Sequence, residues 1–171
     1  MSEILTKQKL RGGYYTPTPI AEFLATWAIQ RADQTILEPS CGDGQFLGPI
    51  VSSLRGLGAS DSDISKQLSA VELDPLEAQK AIKTLADLGI LEGNQMVHNE
   101  DFFTHNTKNY FELSFMEGLY EQKKKVDVVL GNPPYIRYQN FPEEHRKIAF
   151  DLMQRFGFKP NRLTNIWVPF V

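Results

Sequence analysis

Cysteine is almost missing from this sequence of 171 residues: Cys41 stands alone, so no internal disulfide can form. Histidine is scarce too, and His98, His105 and His145 are too scattered along the chain to read as a metal cluster, so no metal is expected. Long hydrophobic runs are lacking. No apolar stretch approaches the ~20 residues that span a bilayer, and Met1-Ser2-Glu3-Ile4-Leu5-Thr6-Lys7 has none of the charged-then-apolar order of a secretory signal. A cytoplasmic location without a membrane partner is therefore expected. Positive charge is in deficit, with 18 Lys and Arg against 21 Asp and Glu and a net charge of -3, which excludes the overall basic balance of a protein that neutralises many phosphates by itself. The one basic cluster of note, Lys123-Lys124-Lys125, reads as a solvated flank before a strand. What is present, 42% hydrophobic and 23% charged residues, suits one globular domain with a real core.

Short apolar runs alternate with helical patterns. Strands are expected over 35–38, 70–73, 96–99 and 126–130, each preceded by a helix, which indicates a mostly parallel sheet in an α/β fold. Ile20, Phe23, Leu24, Trp27 and Ala28 follow helical spacing, with Thr16 and Thr18 as candidate caps and Pro17 or Pro19 in the first turn. A second helix is expected over 75–88, capped by Asp74, and a third over 142–155, with Ile148, Leu152 and Met153 apolar and Gly157 as its stop. The stretch 56–65 reads as a loop or a frayed helix. The final run, Asn165-Ile166-Trp167-Val168-Pro169-Phe170-Val171, is apolar and would need a surface to bury it, so a piece of a longer protein is expected. If the chain ends there, the strand over 126–130 keeps an unpaired edge, and self-association through that edge or disorder near the C-terminus is expected.

The most informative residues are Asn132-Pro133-Pro134-Tyr135, directly after Val126-Asp127-Val128-Val129-Leu130-Gly131. Chance supplies this tetrapeptide in about one chain in a thousand of this length. Asn before proline is driven to extended geometry, and two prolines fix their own backbone angles, so the Asn132 side-chain oxygen and the Pro133 carbonyl are held as two acceptors. Two acceptors aimed at the hydrogens of an exocyclic amine draw its nitrogen out of conjugation, and Tyr135 offers a flat face for stacking. The bland alternative is a strand-ending turn.

Three more candidates fall after successive strands. Glu38-Pro39-Ser40-Cys41-Gly42-Asp43-Gly44 is a glycine turn opening a helix, where a ligand could approach the backbone or the chain could simply turn tightly. Glu72, in Val71-Glu72-Leu73-Asp74, could accept both hydrogens of a ribose diol or merely be a solvated charge. Asp101 could accept from an adenine amine with Phe102 on the ring, or be an N-cap followed by core aromatics. Their order along one sheet edge describes a nucleoside cofactor beside an amine acceptor.

With these motifs the chain resembles the N6-adenine DNA methyltransferases of gamma-type motif order, whose cofactor motifs come first and whose target-recognition region follows. Gly13-Tyr14-Tyr15-Thr16-Pro17 is similar to that family's N-terminal motif, and Ile36 to Leu47 to its methionine-binding motif. The resemblance implies a Rossmann-like, S-adenosylmethionine-dependent catalytic domain with helices on both faces of the sheet, present here as its N-terminal part over residues 1–171, truncated after about four strands and without the target-recognition domain. It implies that Tyr15, Thr16, Glu38, Pro39, Ser40, Cys41, Gly42, Gly44, Glu72, Leu73, Asp101, Phe102 and Asn132 bind the cofactor, and that Asn132, Pro133, Pro134 and Tyr135 hold the target adenine. It further implies double-stranded DNA as partner of the full-length protein, with weak or no DNA binding by this chain, in a restriction-modification or related defence system. An RNA or protein-glutamine methyltransferase, or a non-catalytic cofactor-binding module, remain open alternatives. Pro49 departs from the family pattern and is expected to kink or shorten the helix after the glycine turn.

Overall fold

The computed structural model describes residues 15–109, 111–113, 120–122, 125–136, 140, 142–165 and 167–170. Gly13, Tyr14, Lys123, Lys124, Ile166 and Val171 lie outside the described residues. The chain divides into two units, Tyr15–Gly131 and the part from Asn132 onward.

The first unit begins with helix α1 (Thr18–Ala28). Pro17 is its N-cap and Pro19 stands in its first turn, where a missing N–H costs nothing, so neither Thr16 nor Thr18 acts as the expected side-chain cap. The expected apolar face is corrected in part: Leu24 and Ala28 are partly buried against the core. Ala21 and Ala25 are fully buried, whereas Ile20, Phe23 and Trp27 are 50%, 68% and 71% exposed. The buried stripe is the one whose small side chains allow close approach to the next helix, α2 (Leu47–Gly56). Between them runs β1 (Ile36–Glu38), buried at all three positions.

Beyond α2 lie α3 (Asp61–Gln67), β2 (Leu68–Val71), α4 (Pro75–Asp87), α5 (Gly93–Met96) and β3 (Val97–His98). Pro49 does not kink α2, because it sits in the first turn, where N–H groups have no intrahelical partner. The stretch expected as loop or frayed helix resolves into both: a turn, then α3 with a reciprocal capping box in which Ser60 Oγ accepts from Asp63 N and the Asp63 carboxylate accepts from Ser60 N. Asp74 caps α4 as expected, accepting from Leu76 N at 2.9 Å and Glu77 N at 3.3 Å.

After β3 come α6 (Phe102–Asn109), an antiparallel pair β4 (Phe111–Leu113) and β5 (Tyr120–Gln122), and β6 (Val128–Val129). The hairpin was not expected; it stands between α6, which supplies the helix expected before the last strand, and β6. The main sheet is parallel in the order β3-β2-β1-β6, with Ile36 opposite both Leu68 and Val128. β1, β3 and β6 are shorter than expected, and β2 is as long but begins two residues earlier, so Glu72 and Leu73 lie beyond it, although Glu72 N still donates to His98 O at 3.0 Å. The chain moves outward from β1 through β2 to β3, then returns to the other side of β1 as β6. Connections of this kind between parallel strands are generally right-handed. The reversal between β1 and β6 creates the crevice where open sheets of this kind bind ligands.

Asp127, the polar residue inside the apolar run, fastens the start of this central pair: its Oδ2 accepts from Thr35 N at 2.8 Å and Thr35 Oγ1 at 2.9 Å. The core of the unit includes Leu47, Ile50, Leu54, Ile64, Leu85 and Ile90, all fully buried, each contributing about 1.5–3 kcal/mol of transfer free energy.

In the second unit, α7 (Glu143–Arg155) starts after Pro142 and buries Ala149, Leu152 and Met153, while Ile148 is only partly buried. Glu143 and Glu144 in its first turn and Arg155 in its last complement the helix dipole. Gly157, at φ 82°, ends it as expected, with Phe158 N donating to Met153 O at 3.0 Å. The apolar run that follows forms a 3-10 turn at Val168–Phe170 packed on α7. No described helix is long and apolar enough to cross a membrane.

Candidate active site

β1 ends in Glu38, which is 1% exposed. Its Oε2 has no hydrogen-bond partner among the described residues, and the same holds for the buried Ser40 Oγ and Asp43 Oδ1 in the turn that follows. Burial, with Glu72 and then Asp43 as negative neighbours, pushes the Glu38 carboxyl well above the usual carboxylate range. Asp43 is also raised, chiefly by burial. Three orphaned polar atoms within six residues are uncommon, because a buried unmade hydrogen bond costs about 1–3 kcal/mol each.

The turn itself is held from β2. Cys41 N donates to Val71 O at 2.9 Å, and Gly42 N donates to Glu72 Oε2 at 2.8 Å. Burial, then Glu38, raises the Cys41 thiol well above its ordinary value, so it stays protonated and is not a nucleophile. The two glycines do different work. Gly42, at φ 55°, faces open space apart from Tyr15 Cε1 at 4.0 Å from where a Cβ would lie. Gly44, at φ 91°, would set a Cβ 3.2 Å from Ala81 Cα, so it serves helix-turn packing against α4 rather than ligand approach.

Glu72 occupies the tip of β2. Its Oε1 accepts from Asp74 N at 2.7 Å while Oε2 holds Gly42, leaving each oxygen a second lone pair for a diol. Burial raises its carboxyl against the lowering effect of those two backbone bonds. Leu73 beside it is 48% exposed. Asn99, just beyond β3, donates through Nδ2 to Glu72 O at 2.8 Å and Leu73 O at 3.1 Å. It positions this tip, and only its place directly after an apolar strand hints at the role in the sequence.

Tyr15 donates its hydroxyl to Glu77 Oε2 at 3.2 Å and runs along the glycine turn. Burial, followed by the Asp43 and Glu77 charges, pushes its pKa up to about 12. Thr16 follows it, partly buried. After β3, Asp101 Oδ1 accepts from Phe103 N at 2.7 Å, which is the N-cap arrangement, and Phe102 and Phe103 are both buried with their rings edge-on at 5.7 Å. These are the features of the bland alternative for this pair. Two of the three histidines meet in space: His98 and His105 have ring centroids 4.7 Å apart.

β6 continues through Leu130, whose N donates to Leu37 O at 3.0 Å, to Gly131. A Cβ on Gly131 would lie 3.3 Å from Pro39 Cδ and 3.5 Å from Glu38 Cγ, so the strand tip presses against the buried carboxylate turn. Asn132, Pro133 and Pro134 follow without regular secondary structure and partly buried, and Tyr135 is 51% exposed. An open groove of about 330 Å³ lies between the glycine turn and α4, bordered by Asp43, Gly44, Lys80 and Thr84. None of Glu38, Glu72 or Asp101 lines it, and Lys80 there is paired with Glu77 at 2.8 Å, so this groove is not the site.

The chain is similar to known proteins. The chain is 28% identical over 160 residues to the Type II methyltransferase M.XamI of Xanthomonas campestris pv. amaranthicola, covering 93% of this chain and 26% of that protein. It is 28% identical over 152 residues to the Type II methyltransferase M.BanIII of Aneurinibacillus aneurinilyticus, covering 81% and 24%. The chain thus spans about a quarter of the length of these relatives. A modification subunit of a putative type I restriction enzyme from Vibrio vulnificus YJ016 has the same fold over 84% of this chain and 30% of its own, with a TM-score of 0.53 and 23% identity. The sequence pattern of the N-6 DNA Methylase family matches residues 3–168, nearly the whole chain, and the protein belongs to that family.

Proposed function

We propose that this chain is the cofactor-binding, N-terminal part of the catalytic domain of an enzyme that methylates the N6 amino group of adenine in DNA, in a restriction-modification system, with S-adenosylmethionine as methyl donor. The observation that carries the reading is the unpartnered Glu38 Oε2, with Ser40 Oγ and Asp43 Oδ1, on a turn at the β1–β6 crevice. A buried carboxyl without a partner suits a cationic ligand, and neighbouring hydroxyl and carboxylate atoms suit a ligand rich in donors. The family membership supports the same reaction, and the longer relatives named as methyltransferases support further strands and a target-recognition domain elsewhere in the complete protein.

S-adenosylmethionine, when bound, supplies an electrophilic methyl group on a positively charged sulfur. Thr16, Glu38, Pro39, Ser40, Cys41 and Gly42 would hold its methionine part beneath Tyr15. Glu72 would accept the ribose diol, Leu73 would cover the sugar, and Asp101 and Phe102 would hold the adenine ring. The target adenine must leave the duplex to be reached. The Asn132 side-chain oxygen and the Pro133 carbonyl would accept its two amino hydrogens, Pro134 would fix the chain, and the exposed face of Tyr135 would stack on the base. No general base is needed beforehand, because the nitrogen becomes acidic only as it gains the methyl. Orientation and fixed dipoles would supply most of the acceleration.

The test is calorimetry of this chain with S-adenosylmethionine, followed by transfer of labelled methyl by the complete protein to DNA, RNA and release factor. Asn132→Ala in the complete protein is expected to lower turnover on DNA by roughly 10²–10³-fold with cofactor affinity nearly unchanged. Equal loss of both, or methyl transfer to RNA or protein in preference to DNA, would overturn the assignment. Cofactor binding without any transfer would instead point to a binding module.

A further inference from the structure

His98 and Glu100 leave the end of β3, and His105 follows on the second turn of α6. Folding brings the three together: the two imidazoles stand at 4.7 Å between centroids with planes inclined by 38°, and His105 Nδ1 lies 2.7 Å from Glu100 Oε1. One ligand atom from each lies within 4.8 Å of those of the other two. We propose that His98, Glu100 and His105 bind one divalent transition-metal ion, of the zinc class, which fastens the start of α6 to the end of β3.

The donor set argues for this class of ion. Two imidazoles and one carboxylate are the ligands of borderline metals and are poorly suited to magnesium or calcium, which take oxygen donors. Four-coordinate zinc with bonds of about 2.05 Å sets its ligand atoms roughly 3.3 Å apart. The widest separation here therefore closes by side-chain rotation, and the short His105–Glu100 contact opens slightly as the ion displaces the proton held between them. The backbone needs no rearrangement. Asn99, between the first two ligands, is pinned to Glu72 O and Leu73 O, and His105 N already donates to Asp101 O at 2.9 Å.

Access is one-sided. The His105 side chain is 4% exposed, whereas that of Glu100 is 33% exposed, so an ion enters past Glu100 and water completes the fourth position. The loop closed by the ion contains Asp101 and Phe102, and its role is structural, like that of a clip across a short turn. This site stands independently of the methyl-transfer reading, since it is measured with metal alone.

The chain, stripped by a chelator and desalted, is titrated with Zn²⁺ by calorimetry and with Co²⁺ by visible absorption. One ion per chain is expected, with the d–d bands of four-coordinate cobalt. His98→Gln and Glu100→Gln should each weaken binding by about 10–100-fold or more, and His145→Gln should leave it unchanged. His98 and Glu100 are chosen because neither is fully buried. As a readout that needs no variant, ring resonances of His98 and His105 should shift together on adding Zn²⁺ while those of His145 stay in place. Absence of saturable binding, binding that survives both substitutions, or unshifted His98 and His105 resonances would overturn the proposal and identify the trio as a hydrogen-bonded cluster only. Neither result bears on cofactor binding.

Discussion

At the scale of single residues, Glu38 is the most buried of the described polar and charged residues, and its Oε2 has no hydrogen-bond partner among them. A carboxyl raised above its unfolded value by burial favours the fold while protonated, and that contribution is lost as pH climbs through the raised value. The cofactor-free chain should therefore lose thermal stability as pH rises above the ordinary carboxylate range, and Glu38→Gln should flatten the dependence. Melting curves at fixed ionic strength check this; a wild-type Tm that is flat or rises with pH above that range contradicts it. Gly44 is the second residue with a defined penalty. A methyl there meets Ala81 backbone at 3.2 Å in a left-handed conformation, so Gly44→Ala should cost about 1–3 kcal/mol in urea unfolding. Both positions stand out in the sequence as parts of a glycine turn. The division of labour between Gly42 and Gly44 does not, because it depends on how closely α4 approaches.

Among the elements, those with local instructions are the legible ones. Asp74 before Pro75, and Gly157 after Arg155, mark a helix start and a helix stop through bonds spanning only a few residues. Ser60 and Asp63 give α3 an equally local start that composition conceals, because the surrounding Gly, Ser and Asp look like loop. Ser60→Ala should lower stability by about 1 kcal/mol in chemical denaturation, and an unchanged midpoint would mean that packing of Ile64 alone holds this helix. α1 is the opposite case. Its large apolar residues share a helical spacing, yet the alanine stripe faces the core, because close contact with α2 selects small side chains. The hairpin β4–β5 belongs with it, since pairing between strands is set by partners rather than by either run alone.

For the molecule as a whole, the return of β6 to the free side of β1 is the decisive feature, because it opens the crevice beside Glu38 and carries the chain to Asn132. Among the described residues β6 pairs along one edge only. We expect this chain, taken by itself, to self-associate in a concentration-dependent way through that edge. Val129→Lys, at a position 56% exposed, should suppress the association at little cost to folding. Sedimentation velocity over a concentration series decides it: a monomer at every concentration, or a dimer unaffected by the substitution, rules the edge out.

The sequence by itself determined the alternation of buried strands and helices, the cap at Asp74 and the stop at Gly157, the glycine turn, and the family to which the chain belongs, because each is carried by residue types at short spacing. Only tertiary structure decided the order β3-β2-β1-β6, the inward face of α1, the clasp of Asn99 on Glu72 and Leu73, and the meeting of His98 with His105. Each of these is a contact between separate segments, and its energy depends on a distance and an angle that neither segment specifies alone.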